Sequence, residues 1–509
     1  MWIAEELQAV TQAFDLSLKP VWLIGVGAAI GLAALAILYL FLLTVHRRMA
    51  DEMRALVREN IVLPVLLIAV ALGLFAGGIV VIDLLGGRLF DRKQESLTSM
   101  LRLPFVGSEK LEFKIKAKAS AEKIPVKIPS GELKSLSFSA TDPISVGINI
   151  PPIEARLAEQ ERFEVRPKKP FNWVRTRDSQ GPLRDALEAF FVENVNDTVV
   201  QVDIEYETTA TVPEANLIFY TAVGLFAYVL LFFTLQLLLP QIAAIGFTTG
   251  KEAVSQPLFL ITVMLGVFLL ALFIFIPYFT FGDDIKMYKE ACLQVIMLLA
   301  IFIAIWTSSI SVADEIEGRT ALTVLSKPIG RSQFILGKYT GILAALALMF
   351  LLLGIFFVIC ISYKVPYDAR ESANYYITWE DSCREIALSV PGLILAFMEA
   401  AVLASISVAI STRLSILANL IICMGIYVVG HLLPLFVQSA VGEFAIVQFM
   451  GQLFATVLPV LEHFNIYGAI VAGQQVPFSY IAWVGIYSLI YVSIAMLLAL
   501  ALFDDRDLA

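Results

Sequence analysis

The chain has 509 residues, of which 59% are hydrophobic and 16% are charged, whereas a soluble globular domain has about 25% charged residues. This composition excludes an ordinary soluble protein and indicates a multi-pass membrane protein. The net charge of −9, from 36 basic and 45 acidic residues, argues against a nucleic-acid-binding protein. The four Cys and three His residues are scattered, so we predict no disulfide framework, no metal site and no cofactor.

Nine apolar stretches are long enough to cross a bilayer as helices, which takes about 20 residues. Because the backbone polar groups must be satisfied within the bilayer, each stretch is predicted to be one transmembrane helix. The stretches are Val21–Val45, Ile61–Ile82, Leu217–Leu239, Leu258–Phe279, Cys292–Ile310, Gly341–Ile361, Ile386–Ile410, Leu414–Val437 and Ile481–Leu502.

The distribution of Lys and Arg predicts the orientation of these spans. With the N-terminus outside and the C-terminus in the cytoplasm, the cytoplasmic segments carry eleven Lys and Arg residues and the short outer segments carry six. A tenth apolar stretch, Ala445–Leu461, contains Gln448, Gln452 and Pro459. We expect a re-entrant or interfacial helix there, because a tenth crossing would spoil the charge pattern. The predicted location is the plasma membrane, which in bacteria is the inner membrane.

A segment of 130 residues, Gly86–Ala215, separates the second and third spans and is large enough for its own core. Apolar residues alternate with polar ones in Leu111–Lys118 and Val199–Thr208, which is typical of half-buried strands. Weaker strand patterns occupy Lys134–Ala140 and Ile144–Ile150, and Pro182–Asn194 has the pattern of one short helix. We therefore expect a small antiparallel β-rich domain outside the cytoplasm. The sequence does not identify the partner of this domain.

Two glycine-containing segments resemble a phosphate-binding loop but lack its spacing. Such a loop reads GxxxxGK[ST] and opens a helix after a strand. In Gly246–Glu252 three residues separate the glycines and Glu follows Lys, whereas in Gly330–Tyr339 six residues separate them and Tyr follows Lys. Since neither follows a strand and no other catalytic motif is present, we predict that the chain is not an enzyme and has no catalytic residues.

The segment between the fifth and sixth spans, Ser308–Gly341, has the most distinctive pattern of the chain. It begins with an acidic cluster that fits a helix along the membrane surface. Pro328 stops that helix, and Arg331 begins the next one. Such a break at the cytoplasmic mouth could transmit force from a soluble partner into two spans, while an ordinary basic loop is the simpler alternative.

This segment resembles the permease subunits of ABC-2 type transporters. In that family an acidic segment with a threonine, followed by a run similar to LSKPISR…FLLGK, lies between the second and third of six core helices. The matching residues here are Glu315, Glu317, Arg319, Thr320, Leu322, Leu325, Ser326, Lys327, Pro328, Ile329, Arg331, Phe334, Leu336, Gly337 and Lys338. The likeness extends from about Gln241 to Ala509, and within the family it is most similar to the branch associated with copper-enzyme maturation or gliding motility.

The resemblance implies that residues Glu315 to Lys338 form a coupling loop that docks on a separate ATP-hydrolysing subunit. It also implies a homodimer, or a heterodimer with a related permease. The expected fold is an α-helical polytopic membrane protein with a six-helix core. The expected domains are residues 1–85 with two spans, 86–215 as the outer β-rich domain, 216–240 as the third span and 241–509 as the permease core.

Two polar residues fall inside predicted spans. Glu399 lies midway along its span, where a carboxylate costs about 2.5–3.5 kcal/mol on insertion scales, so it should face protein or water. His431 lies in the next span, and we hypothesise a Glu399–His431 contact that is either functional or a structural hydrogen bond. If it is functional, the chain could instead be an ion-coupled secondary transporter. A membrane anchor that presents the outer domain is a third possibility.

Two further patterns leave alternatives open. His46–Asn60 places Met49, Met53, Leu56 and Val57 on one helical face, which favours a helix lying on anionic membrane lipid over an ATPase-docking site. The small residues of Gly25–Ala36 allow close helix packing, either within the chain or in a dimer.

Overall fold

The structure is a computed structural model, and the statements below refer to the residues that it describes. These are residues 2–58, 61–84, 107–119, 122–128, 132–149, 163–167, 171–174, 187–209, 212–276, 278, 284–314, 329–371, 378–438, 449, 453–454 and 456–504. The chain divides into two compact units. We call Met1–Leu89 with Tyr220–Ala509 the helical unit and Phe90–Phe219 the β unit.

Four helices flank the β unit in the chain. Three precede it: α1 (Trp2–Val45), α2 (Arg47–Val57) and α3 (Val62–Leu84), and α4 (Asn216–Leu238) follows it. All but α2 are long apolar helices, as expected for segments that cross lipid. α2 is short and amphipathic and connects the first two spans.

Eight helices complete the helical unit. They are α5 (Pro240–Ser255), α6 (Pro257–Ile274), α7 (Asp284–Ser308), α8 (Arg331–Glu371), α9 (Trp379–Ser411), α10 (Ile416–Gln438), α11 (Tyr467–Val471) and α12 (Phe478–Asp504). A π-helical turn, Ser309–Asp314, continues α7, and a 3-10 helix, Leu461–Phe464, precedes α11. Helices α7, α8 and α9 pack against one another and are the most deeply buried of the long helices.

Nine helices in the described parts of the chain are long and apolar enough to cross a membrane, which confirms the nine predicted spans. They are α1, α3, α4, α6, α7, α8, α9, α10 and α12. Residues 445–448, 450–452 and 455 of the predicted re-entrant stretch Ala445–Leu461 lie outside the described residues. At its end Val460 has extended backbone angles and Leu461 begins the 3-10 helix.

The β unit contains two four-stranded antiparallel sheets. Its strands are β1 (Ser108–Ile115), β2 (Glu122–Ile128), β3 (Leu133–Ala140), β4 (Ile144–Ile148), β5 (Phe163–Val165), β6 (Phe171–Val174), β7 (Leu187–Glu193) and β8 (Val200–Thr208). One sheet has the order β1-β8-β3-β6 and the other β2-β7-β4-β5. Phe138 of β3 meets Phe190 of β7 edge to face at 5.0 Å, so apolar residues of both sheets share one core. The predicted antiparallel β-rich domain is confirmed.

The helix predicted over Pro182–Asn194 is wrong for its described part, since Leu187–Glu193 is strand β7. β7 lies between β2 and β4 and pairs with both, so the two ladders satisfy its backbone and override the local helical preference. The pairing with β2 contains a register shift between Pro125 and Ile128. Along β7 itself the buried residues do not alternate strictly with exposed ones, since Ala189 and Phe190 are both buried, so the sequence shows no clear period of two there.

The apolar face of α2 also corrects a prediction. Met53 and Leu56 are buried, and they pack into a cluster with apolar residues of α1, α3 and α4 instead of facing lipid. The small residues of α1 likewise serve packing inside the chain. A Cβ atom on Gly25 would lie 2.5 Å from the carbonyl oxygen of Leu72 in α3, and one on Gly31 would lie 3.1 Å from that of Ala222 in α4.

Candidate functional site

Most of the predicted coupling loop lies outside the described residues. This holds for Glu315, Glu317, Arg319, Thr320, Leu325, Ser326, Lys327 and Pro328. The structure describes the chain on both sides of them, the π-helical turn Ser309–Asp314 before and α8 after. α8 begins at Arg331, as the sequence predicted.

The first turn of α8 is attached to the last turn of α12. The Arg331 guanidinium donates a hydrogen bond to the carbonyl oxygen of Asp504 at 2.8 Å and lies 3.6 Å from its carboxylate. The Phe334 ring stacks on Phe503 with centroids 5.7 Å apart, and both rings are fully buried. A displacement of the segment that enters α8 would therefore act directly on the end of α12.

The second and third turns of α8 are packed against α5 through glycines. A Cβ atom on Gly337 would lie 2.6 Å from Cβ of Ile245, and one on Gly341 would lie 2.5 Å from the carbonyl oxygen of Gly246. On the other side, a Cβ atom on Gly246 would lie 2.6 Å from Oγ1 of Thr340. The glycines of the two phosphate-loop-like segments thus allow two helix backbones to touch, as small residues do in membrane proteins.

The four described residues of the predicted coupling loop differ in exposure. The Arg331 side chain is 44% exposed, whereas Phe334, Gly337 and Lys338 are buried. Residues buried in this way present no surface to a soluble protein. If they take part in coupling, they do so by transmitting movement through α5 and α12.

A buried polar cluster lies beside the π-helical turn. The Asn419 amide nitrogen of α10 is 2.7 Å from Oγ of Ser309, 2.8 Å from Oγ of Ser407 and 2.9 Å from Oγ of Ser411. Ser309 belongs to the turn, and the other two serines belong to α9. This side chain therefore connects three segments next to the predicted coupling loop, a role that no local sequence pattern indicates.

The structure brings Glu399 and His431 together, as hypothesised. Glu399 is 1% exposed in α9, and its Oε1 lies 2.8 Å from Nε2 of His431 in α10. The opposite ring nitrogen, Nδ1, lies 3.4 Å from Oε2 of Glu462 in the 3-10 helix. Glu462 was not predicted from the sequence, because it lies in a segment without helical or strand periodicity. A role of this group in transport stays a prediction.

Two buried lysines were also missed. Lys289 of α7 is fully buried and forms an ion pair with Glu385 of α9. Lys364 of α8 donates to the carbonyl oxygen of Ile274, at the end of α6, and lies 2.8 Å from Asp368. Both lysines lie just beyond the predicted apolar stretches, but their helices continue through them. Buried charges of this kind are normally paired.

Asp368 also belongs to a group of three carboxylates with Asp284 and Glu371. One oxygen of each lies within 4.8 Å of the others, a spacing at which the group could hold a metal ion. The nearby ammonium group of Lys364 offsets part of this negative charge. The group lies where the beginning of α7 approaches the end of α8.

Comparison with known proteins identifies the family. Residues 49–508 match the ABC-2 family transporter proteins, so the match includes the β unit and all but the first of the nine spans. The chain belongs to this family. No curated protein matches the chain.

Proposed function

We propose that the chain is the permease subunit of an ATP-binding-cassette transporter, which moves a substrate across the plasma membrane with energy from a separate ATPase subunit. The observation that carries this proposal is the family match over residues 49–508. Family membership favours a transporter subunit over an ion-coupled secondary transporter and over a membrane anchor. It also accords with the expectation that ATP is hydrolysed by a partner.

In this proposal residues Glu315 to Pro328 provide the surface on which the ATPase docks. Arg331, Phe334, Gly337 and Lys338 then transmit the movement inward. Support comes from the packing of the first two turns of α8, which contact α12 at one position and α5 at another. A force applied to α8 would therefore also be transmitted to α5 and α12.

The domain organisation, the oligomeric state and the orientation of the chain are part of the same proposal. Residues 1–85, 86–215, 216–240 and 241–509 would be the N-terminal membrane segment, the extracytoplasmic domain, the third span and the permease core. The chain would pair with a second copy or with a related permease, and its N-terminus would lie outside. The narrower likeness to copper-enzyme-maturation or gliding-motility transporters remains part of the proposal, and identification of the cargo would test it.

The test is purification from native membranes under mild conditions, with mass spectrometry of the bound proteins. We expect an ABC-type ATPase in near-equal amount with the wild-type chain. Reversal of charge by Glu315→Lys with Glu317→Lys should remove the ATPase while the chain still inserts into the membrane. The matched control is Glu188→Lys with Glu205→Lys, which makes the same charge change at two exposed positions of the β unit and should leave the ATPase bound.

Two results would contradict the proposal. One is the reproducible absence of an ATPase from the wild-type preparation even after crosslinking. The other is equal loss of the ATPase in the coupling-loop variant and in the β-unit control, since that would indicate a general effect of charge.

A further inference from the structure

His431 is held between two carboxylates that differ in exposure. The side chain of Glu399 is 2% exposed, that of His431 is 21% exposed and that of Glu462 is 43% exposed. Glu399 and Glu462 approach different ring nitrogens, at 2.8 Å and 3.4 Å respectively. The three residues therefore form a line from the middle of a membrane-spanning helix to a partly exposed position.

We propose that Glu399, His431 and Glu462 form a proton path, through which the buried carboxylate of Glu399 exchanges a proton with the compartment that Glu462 faces. The ligand of this site is the proton itself. The proposal is independent of the ATPase, because it concerns groups of this chain alone.

The imidazole ring of His431 can lose a proton from one nitrogen and gain a proton at the other in a single step. A neutral ring that carries its proton on Nε2 donates it to the carboxylate of Glu399, while Nδ1 accepts a proton from the carboxylic acid of Glu462. The net result is that Glu462 has lost one proton and Glu399 has gained one, while the ring, still neutral, now carries on Nδ1 the proton that it received from Glu462. Imidazole suits this role because its two nitrogens exchange donor and acceptor functions. The reverse transfer, from Glu399 through the ring to Glu462, restores the first tautomer, so the path carries a proton in either direction.

The outer of the two contacts is the one that movement can open or close. At 3.4 Å the distance from Nδ1 to Glu462 exceeds the usual range of about 2.7–3.2 Å for a hydrogen bond, whereas the 2.8 Å contact with Glu399 lies within it. Glu462 lies in a short 3-10 helix, where its other oxygen accepts a hydrogen bond from Asn465 at 3.0 Å. A small shift of this segment towards α10 would complete the path.

Other titratable groups lie near this line. Tyr427 of α10 and Tyr467 of α11 interact electrostatically with Glu399, Tyr480 of α12 does so with Glu462, and Glu290 of α7 does so with Tyr467. The Tyr427 ring meets the imidazole edge to face at 4.9 Å, and the Tyr467 hydroxyl points to the sulfur of Met297 at 3.9 Å. Neither contact places another acid between Glu399 and the imidazole.

A purely structural hydrogen bond would need only Nε2 of His431 and Glu399. It would give no reason for a second carboxylate at Nδ1, on a separate 3-10 helix and at the exposed end of the line. This second carboxylate distinguishes a path from a simple interhelical bond, and it makes Glu462 the decisive residue to change.

The experiment follows the protonation of Glu399 in the full-length chain in lipid nanodiscs. Time-resolved infrared spectroscopy after a pH jump records the carboxyl C=O band, which Glu399→Gln assigns by removing it. In the wild type we expect the band to follow the external pH. Glu462→Gln should slow its response by about 100-fold, a loss in the range seen when a positioned proton-transfer group is removed. Glu462→Asp should give an intermediate rate.

Two variants serve as matched controls. His463→Gln changes the neighbouring histidine of the same 3-10 helix, whose ring packs on Tyr487 at 5.5 Å and not on the carboxylates. Glu290→Gln neutralises a nearby carboxylate outside the line. Both should keep the wild-type rate, whereas His431→Gln should slow it at least as much as Glu462→Gln does.

The proposal is overturned if the Glu399 band does not respond to pH in the wild type, which would leave a structural hydrogen bond only. It is also overturned if the band responds equally fast in Glu462→Gln, because Glu399 would then exchange by another route. Should His431→Gln fail to fold, the changes at the partly exposed Glu462 still decide the question. Because the experiment uses this chain alone, its failure is distinct from failure to find an ATPase.

Discussion

At the scale of single residues, the contact between α5 and α8 depends on the absence of side chains. Gly341 is the closest point, because its Cβ would lie 2.5 Å from the carbonyl oxygen of Gly246 and 2.7 Å from Cβ of Thr249. Backbone atoms cannot rotate out of the way as a flexible side chain can, so a methyl group there must push the helices apart. The tight contact keeps α5 close to the helix that follows the predicted coupling loop.

Gly341→Ala should therefore destabilise the protein by about 1–3 kcal/mol, the usual cost of overpacking a close-packed site. This loss opposes the gain of up to about 1 kcal/mol that alanine brings to a helix interior. Thermal unfolding of the purified protein in detergent measures the difference.

The control is Gly425→Ala in α10, where an added Cβ meets no atom within 4 Å. This variant should be as stable as the wild type or more so. Destabilisation of the same size in both variants would refute the backbone contact as the cause.

At this scale some contacts of the polar residues could be predicted from the sequence and others could not. The contact between Glu399 and His431 was predictable, because consecutive spans are neighbours and a buried carboxylate needs a partner. Glu462 was not, since its segment has no periodicity from which to derive a position. The glycines of α5 and α8 were noticed only as imperfect phosphate loops, because their spacing does not reveal which helix they meet.

At the scale of elements, the π-helical turn Ser309–Asp314 is held by Asn419. Such turns break the regular hydrogen-bond pattern of a helix and often occur at functional sites. The amide nitrogen has two hydrogens and three serine oxygens within 2.9 Å, so at least one hydrogen is shared. Its carbonyl oxygen accepts from the Cys423 thiol at 3.2 Å, which leaves the whole amide satisfied within the protein.

Asn419→Ala should cost about 1–3 kcal/mol, because it leaves buried hydroxyls without their donor. The loss should appear locally, as faster hydrogen exchange in residues 301–314 while α12 keeps its wild-type rate. Hydrogen-exchange mass spectrometry on the intact protein distinguishes these segments.

Ser493→Ala is the matched control, because within the described part of the chain this exposed hydroxyl bonds only to the carbonyl oxygen of Leu489 in its own helix, at 2.7 Å. It should leave exchange in residues 301–314 unchanged. A uniform increase over all helices in Asn419→Ala would mean that Asn419 stabilises the fold as a whole and not the turn.

Elements were predicted well where one physical cause dominates. The spans follow from apolar length alone, and strands such as β8 follow from alternation between a buried and an exposed face. β7 was missed because its state depends on strands β2 and β4, which are distant in the sequence. The apolar face of α2 was recognised, but amphipathicity does not distinguish lipid from a neighbouring helix, and here the neighbours are helices α1, α3 and α4.

At the scale of the whole molecule, the charge distribution predicts how the chain is oriented in the membrane, and labelling of introduced cysteines tests this prediction. The four native cysteines are all buried, so an introduced exposed cysteine should react with a membrane-impermeant thiol reagent against little background. Arg48 of α2, with a side chain that is 91% exposed, and Lys110 of β1, with one that is 57% exposed, lie on either side of the single span α3 in the sequence.

Lys110→Cys should therefore react in intact cells, and Arg48→Cys should react only after the membrane is permeabilised. The wild-type chain, treated in the same way, should remain unlabelled. The reverse pattern would invert the orientation while keeping all nine spans, because it still places the two positions on opposite sides. Labelling of both positions in intact cells would be a different result. It would mean that α3 does not cross the membrane, since the two sites differ by that one span, and the nine-span topology would then be wrong.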